Sequence, residues 1–352
     1  MKLLLVSVKS EKSHGGIAVW TDRYLSRCKT HGINCTLINT EAVGKRAEQG
    51  TAKRSLRDEF VRTRRIFKDL EGALKTDFDA AHLNTSCGTF GLFRDYFIAR
   101  KIKRKGIPLV THYHCDIPYW IRSKLSRWCL GRVVRLSDEN IVLCANSQQF
   151  LKEKYGADSR HIPNFVEEQL VRTENKQIRP TIERALFVGR VEQAKGAKEI
   201  FEAAKQLPHI RFELVGSVCD TVADWEKPEN VHLMGSVPNA QVIRLLDEAD
   251  VFLLPSHTEG CSMALIEAMA RGVPSIATDV GANADMLSGD CGIVIRKESV
   301  EGIVEAIRLL ESPDSRKTIS LNAVKKIRDH YTDRNVEELL DVIQRCACRQ
   351  IH

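Results

Sequence analysis

Short apolar runs alternate along this chain with longer stretches in which apolar residues recur every three or four positions. In the first half, Lys2–Val8, Asn34–Asn39, Ala80–Leu83, Pro108–His112 and Asn140–Ala145 read as strands, with helical periodicity between them. The second half repeats the theme with Arg184–Val188, Arg211–Val215, Val231–Met234, Val251–Leu254, Pro274–Thr278 and Gly292–Ile295. Strands this apolar, each followed by a helix, predict parallel sheets covered on both faces and wound in both directions. Lys53 to Lys75 predicts a basic helix whose Arg and Lys mostly face solvent, Ser262 to Ala270 a helix after a strand, and Val336 to Cys346 a closing helix. Pro163-Asn164 and the polar run Thr173–Pro180 mark a domain boundary. No internal repeat or low-complexity tract interrupts the pattern.

Composition agrees with two ordinary globular domains in 352 residues: 43% of residues are hydrophobic and 28% charged. No stretch approaches the roughly 20 apolar residues of a membrane span. The opening Met1–Val8 reads as a strand ended by Lys9 and not as a signal peptide, since no small-residue cleavage site follows. The 11 cysteines are odd in number and irregular in spacing, which predicts reduced thiols without a disulfide framework or zinc site. Charge is uneven. Residues 1–166 carry 30 Lys and Arg against 16 Asp and Glu, and the remainder 23 against 30. The basic first half is suited to an anionic surface or ligand.

The densest candidate chemistry lies in Pro255–Pro274, where Glu259 and Glu267 sit eight positions apart. Glu259-Gly260 falls at the carboxyl end of a predicted parallel strand, where open α/β sheets bind ligands. Gly260 permits close approach of a ligand, and the amides of Cys261, Ser262 and Met263 open a helix able to receive an anion. Glu267 lies about one turn further in, near any polar group beyond the phosphates. Read without a ligand, Glu259 is a helix N-terminal acid and Glu267 a solvated helix residue. Arg190, after a strand, and Lys195 supply positive charge suited to a leaving diphosphate, or else face solvent. His112 and His114 compete as the functional histidine at another strand end, and His112 also reads as a core residue. Asp77-Phe78-Asp79 resembles a cation-holding Asp-x-Asp, but its place before a strand predicts a solvated turn. Gly15 and Gly16 lie in the loop after the first strand and permit close backbone approach.

The run Pro255–Pro274 resembles the signature of family-4 retaining glycosyltransferases of the bacterial cell-surface polysaccharide type, which adopt the GT-B fold. Ala185–Arg190 followed by Lys195-Gly196, Arg160–Asn164, Ala145-Asn146-Ser147 and His14-Gly15-Gly16 resemble further family motifs in the expected order. The resemblance implies an α/β protein of two doubly wound, Rossmann-like domains. Residues 1–163 would bind acceptor, with a C-terminal helix at 331–352 crossing back, and residues 164–330 would bind the nucleotide sugar. It implies that Arg190, Lys195 and the Ser262 and Met263 amides hold the diphosphate, and that Glu267 accepts from the ribose hydroxyls. Glu259 would face the sugar, as nucleophile or as stabiliser of an oxocarbenium-like charge. Gly216 and Gly235–Val237 would hold the base through backbone groups. His114 fits the family's cleft histidine better than His112, although Cys115 replaces the usual glycine. No metal or other cofactor is implied. The expected partners are a UDP- or GDP-sugar and a lipid-linked or saccharide acceptor, and not nucleic acid.

From Ile117 to Ser137 there is no acidic residue, and Trp120, Ile121, Leu125, Trp128, Val133 and Leu136 interleave with five Arg or Lys. That pattern suits an anionic membrane surface, or an ordinary helix buried on its apolar face. The resemblance, taken with this pattern, implies a cytoplasmic glycosyltransferase, peripheral on the inner membrane face. The alternatives are a nucleotide-sugar epimerase or hydrolase on the same fold, or a basic nucleic-acid-binding protein, for which no recognition motif is visible.

Overall fold

Each apolar run forms a strand in the computed structural model, which describes residues 1–9, 16–43, 55–85 and 87–349. The described residues divide into two compact units: those up to Asn164 together with those from Arg334 on, and Phe165–Asp333.

In the first unit, β1 (Lys2–Ser7), β2 (Asn34–Asn39), β3 (Ala80–Thr85), β4 (Leu109–Tyr113), β5 (Glu139–Val142) and β6 (Arg160–His161) form a parallel sheet in the order β2-β1-β3-β4-β5-β6. Leu4, Val6, Ala81, Leu83 and Leu109 meet Ile66, Leu70, Ile98 and Ile102 from the covering helices on one face, while Ser7, His82, Asn84 and His112 are polar residues buried on these strands. One boundary departs from expectation. β5 ends at Val142, level with the end of β4 at Tyr113, and its edge partner pairs only Ile141 with Arg160 and Val142 with His161. Ala145-Asn146-Ser147 therefore begin a helix, Ala145–Tyr155, rather than end a strand. The basic stretch yields the helix Leu56–Ala73, which buries Ile66 and Leu70. The closing helix, Arg334–Cys348, belongs to this unit, where it buries Val336, Leu339, Leu340, Ile343 and Cys346 and packs beside β3, β4 and the first helix.

The acid-free stretch is not one continuous helix. Ile117–Trp120 and Lys124–Leu136 are separate, and Ser123 starts the second by exchanging hydrogen bonds with Ser126. Ile121, Cys129, Leu130, Val133 and Val134 are buried among Leu92, Tyr113 and Val142, so the helix spends its apolar face on the core. Trp120, Leu125 and Trp128 remain exposed.

A second correction concerns the cysteines. Cys87 and Cys115 form a disulfide with Cα atoms 6.5 Å apart, so this pair is not reduced. β3 and β4 are neighbours whose last pair is Thr85 with Tyr113, and Cys87 and Cys115 each follow two residues later. The other nine cysteines are free.

In the second unit, β7 (Arg184–Val188), β8 (Arg211–Val215), β9 (Val231–Gly235), β10 (Val251–Leu254), β11 (Ser275–Thr278) and β12 (Ile293–Ile295) are parallel in the order β12-β11-β10-β7-β8-β9. The chain leaves β7 toward one edge and returns at β10 to fill the other. No helix among the described residues is long and apolar enough to cross a membrane.

Candidate functional site

In the second unit, strand order reverses between β7 and β10, and ligands of such sheets bind outside the carboxyl ends at that reversal. Gly189-Arg190 leaves β7 there, and Pro255–Gly260 leaves β10. The two loops are tied together by the His257 amide donating to the Ala194 carbonyl at 3.0 Å. Gly196 adopts φ 76°, and a Cβ on it would collide with the Pro255 carbonyl. Only glycine lets the Lys195-Gly196 turn pack this closely.

Lys195 and Glu259 meet at the same place. The Lys195 ammonium donates to Glu259 Oε1 at 2.7 Å, with both groups mostly shielded from solvent. Arg190 lies 2.9 Å from Glu192 and remains substantially exposed. Behind them His257 Nε2 pairs with Glu199 at 2.9 Å, and its Nδ1 is 3.9 Å from Glu298. That pair fastens the Glu259 loop to the helix Ala197–Gln206.

Beyond Gly260 the chain enters the helix Met263–Ala270. Ser262 is its N-cap, its hydroxyl accepting from the Leu265 amide. The first amides of any helix lack intrahelical partners and present partial positive charge. Cys261, Met263 and Glu267 are all buried, so Glu267 is an interior carboxylate and not a solvated one. The Gly260 carbonyl accepts from the Ala282 amide at 2.8 Å, and Gly281, at φ 57°, leaves no room for a Cβ beside the Glu259 and Gly260 carbonyls. The Gly216 amide donates to the Gly235 carbonyl at 2.8 Å, aligning the ends of β8 and β9.

The remaining candidates lie in the first unit. Gly15 and the neighbouring His14 fall outside the described residues, while Gly16 opens the helix Gly16–Thr30. His114 follows β4, its amide donating to the Thr85 carbonyl at 2.8 Å. Its ring, with Nε2 enclosed, lies 4.1 Å from that of His112 and 4.8 Å from Trp20. His112 is fully enclosed in β4, stacked 5.7 Å from His82, which meets the Tyr24 hydroxyl at 3.2 Å. Burial pushes His82 and His114 down to about 3, and holds His112 well below the imidazole range, helped by the neighbouring His114 and His82. All three rings are neutral at physiological pH.

Asp79 accepts from the Lys2 amide at 2.7 Å at the start of the sheet. No cluster of three His, Cys, Asp or Glu suited to a metal occurs among the described residues. Sequence reading gave no role to His257, Glu199, Glu192 or Gly281. His257 lies inside the run that carried Glu259, but its partner is 58 residues away and only the folded chain joins them.

Two family models match this chain. "Glycosyltransferase Family 4" covers residues 14–170, and "Glycosyl transferases group 1" covers residues 172–326. TuaC of Bacillus subtilis (strain 168) is 36% identical over 131 residues, which are 36% of this chain and 32% of TuaC. The capsular polysaccharide biosynthesis glycosyltransferase CapM of Staphylococcus aureus is 27% identical over 168 residues, 44% of each chain. The chain thus spans less than half the length of either relative. Among solved structures, HepE of Anabaena in complex with UDP and glucose superposes with a TM-score of 0.72 at 16% identity, covering 97% of this chain and 98% of HepE. That likeness establishes the same two-sheet architecture.

Proposed function

Because the chain belongs to glycosyltransferase family 4, we propose that it is a retaining, metal-independent glycosyltransferase. It moves a hexose or related sugar from a UDP- or GDP-sugar to a lipid-linked or polysaccharide acceptor in cell-envelope glycan synthesis. In this reading the second unit holds the donor and the first binds acceptor, on the cytoplasmic face of an anionic membrane. The names of CapM and of the UDP complex of HepE support the acceptor and donor classes.

The observation that carries the proposal is the meeting of Lys195, Glu259 and the Ser262-capped helix start at the reversal of strand order. Departure of a nucleoside diphosphate concentrates negative charge on its phosphate oxygens. Fixed cations and amides aimed there stabilise the transition state more than the ground state. Arg190 and Lys195 supply the cations, and the Ser262 and Met263 amides supply the dipoles, while Gly260 and Cys261 line the approach. Glu259 faces the sugar, where its carboxylate stabilises or captures the cationic anomeric carbon. Glu267, one turn deeper, accepts from the ribose hydroxyls. His114, kept neutral by burial, would serve as a hydrogen-bonding rather than a charged group.

Titration of UDP, GDP and their sugars by calorimetry, followed by transfer assays with and without EDTA, tests the proposal. We expect one nucleoside diphosphate to bind, with the same transfer rate in chelator. Absence of binding by every nucleoside diphosphate, or strict dependence on added Mg²⁺ or Mn²⁺, overturns it.

A further inference from the structure

The helices Thr89–Arg104 and Lys124–Leu136 lie side by side, and both descend from the carboxyl ends of neighbouring parallel strands. Right-handed crossovers put both on one face of the sheet, running in the same direction. The Tyr96 and Trp128 rings, 5.3 Å apart, fix their register. One turn toward the helix starts, Phe93 stands level with Leu125, and Phe90 lies beyond. Phe90 is 63% exposed, Phe93 44%, Leu125 51% and Trp128 46%. One turn the other way, Arg100 stands level with Arg132, whose guanidinium sits 5.4 Å over the Trp128 ring. The two helices carry nine Arg and Lys and a single acid. That acid, Asp95, is fully buried and paired with Arg94 at 2.7 Å.

The structure assigns this surface to an anionic lipid bilayer: Phe90, Phe93, Leu125 and Trp128 enter the acyl boundary, and Arg100 and Arg132 meet the headgroups behind them. The inference deepens the proposed membrane-presented acceptor by naming the face of the domain that meets the membrane. It extends beyond the acid-free stretch visible in the sequence, because half of the apolar row comes from a different helix. The layering selects the partner. An apolar tip with a basic band one turn behind matches the depth profile of a bilayer, acyl chains first and phosphates next. A nucleic-acid surface would instead interleave stacking rings with cations along its length, and Leu125 has no ring to stack.

Flotation of the full chain with vesicles of phosphatidylcholine alone, or with 30 mol% phosphatidylglycerol, tests this. Each basic residue near an anionic surface raises partitioning about fivefold. We therefore expect binding to the phosphatidylglycerol vesicles at 50 mM salt, falling at least tenfold at 500 mM, and little binding to phosphatidylcholine alone. Phe90→Ser with Phe93→Ser and Leu125→Ser should lower binding at least tenfold, and Arg100→Gln with Arg132→Gln should do so on anionic vesicles only. Far-UV circular dichroism and thermal melting should be unchanged in both variants, which separates lost docking from lost fold. Brominated phospholipid should quench tryptophan emission, and Trp128→Phe should remove part of that quenching. No binding at 50 mM salt, equal binding to neutral vesicles, or an unaffected triple variant overturns the assignment, as does saturable binding to a single-stranded oligonucleotide in place of vesicles. None of these measurements needs sugar transfer, so failure of the transferase reading leaves the result intact.

Discussion

Lys195 and Glu259, 2.7 Å apart, set up a competition at the scale of single residues. In the proposed reading, a diphosphate arriving at the ammonium would displace the carboxylate and release it toward the sugar. Arg190→Ala and Lys195→Ala should each lower turnover on the order of 10²-fold or more, the usual loss when a fixed donor to a developing anion is removed. Initial rates at saturating donor measure this, and wild-type rates in both variants would remove them from the donor site. The two glutamates should differ in kind. Glu259→Gln keeps the shape and an accepting oxygen but removes the charge that holds Lys195 most tightly, so affinity for the free nucleoside diphosphate should hold or tighten while turnover falls. Glu267→Ala should weaken that affinity about tenfold or more, with part of the loss coming from the vacated interior. Calorimetry decides between them, since equal losses contradict the separate roles. Glu259 and Glu267 stand out in sequence because one run carries both. Their unequal environments emerge only when the helix Met263–Ala270 is buried on all sides.

Among elements, the buried aromatic cluster of Trp20, Tyr24, His82, His112 and His114 ties β3 and β4 to the first helix. Its imidazoles refuse protons in the folded chain, while in the unfolded chain each titrates near ~6.5. Stability is therefore undiminished by these groups above about pH 6.5. As pH falls from there toward 3, the unfolded chain binds protons that the folded chain does not, and stability declines. The slope approaches about 1.4 kcal/mol per pH unit for each such histidine. Denaturant unfolding at pH 7.5, 6 and 5 should show this loss, and His82→Gln with His112→Gln should flatten it. An unchanged slope would assign the acid sensitivity to other groups. The loop elements rest on glycines in the same direct way. Gly281→Ala drives a methyl group into the Glu259 and Gly260 carbonyls, so it should lower activity at least tenfold with the remaining fold melting as one transition. Circular dichroism and initial rates check both halves of that statement.

For the molecule as a whole, the helix Arg334–Cys348 returns the end of the chain to the unit that contains its beginning. Leu340 and Ile343 are fully enclosed there, and Glu337 pairs with His31 at 2.7 Å. Leu340→Ala should cost about 2–5 kcal/mol of unfolding free energy, as truncation in a packed core does. Urea denaturation measures this, and a loss below about 1 kcal/mol would mean that the helix contributes little to that unit. The strands and the glutamate-bearing run were legible in sequence because each depends on local chemistry: apolar runs must be buried from water, and glycine and proline punctuate the backbone wherever they occur. Arg184–Val188, Arg211–Val215 and Val251–Leu254 match their observed bounds for that reason. What depends on register and on contacts far apart along the chain was not legible. The Cys87–Cys115 bond needs β3 and β4 aligned, the His257–Glu199 tie needs the loop after β10 set against the helix Ala197–Gln206, and the exposed row of Phe90, Phe93, Leu125 and Trp128 needs two helices set side by side. Local sequence decides which residues must leave water, and tertiary packing decides which of them still face it.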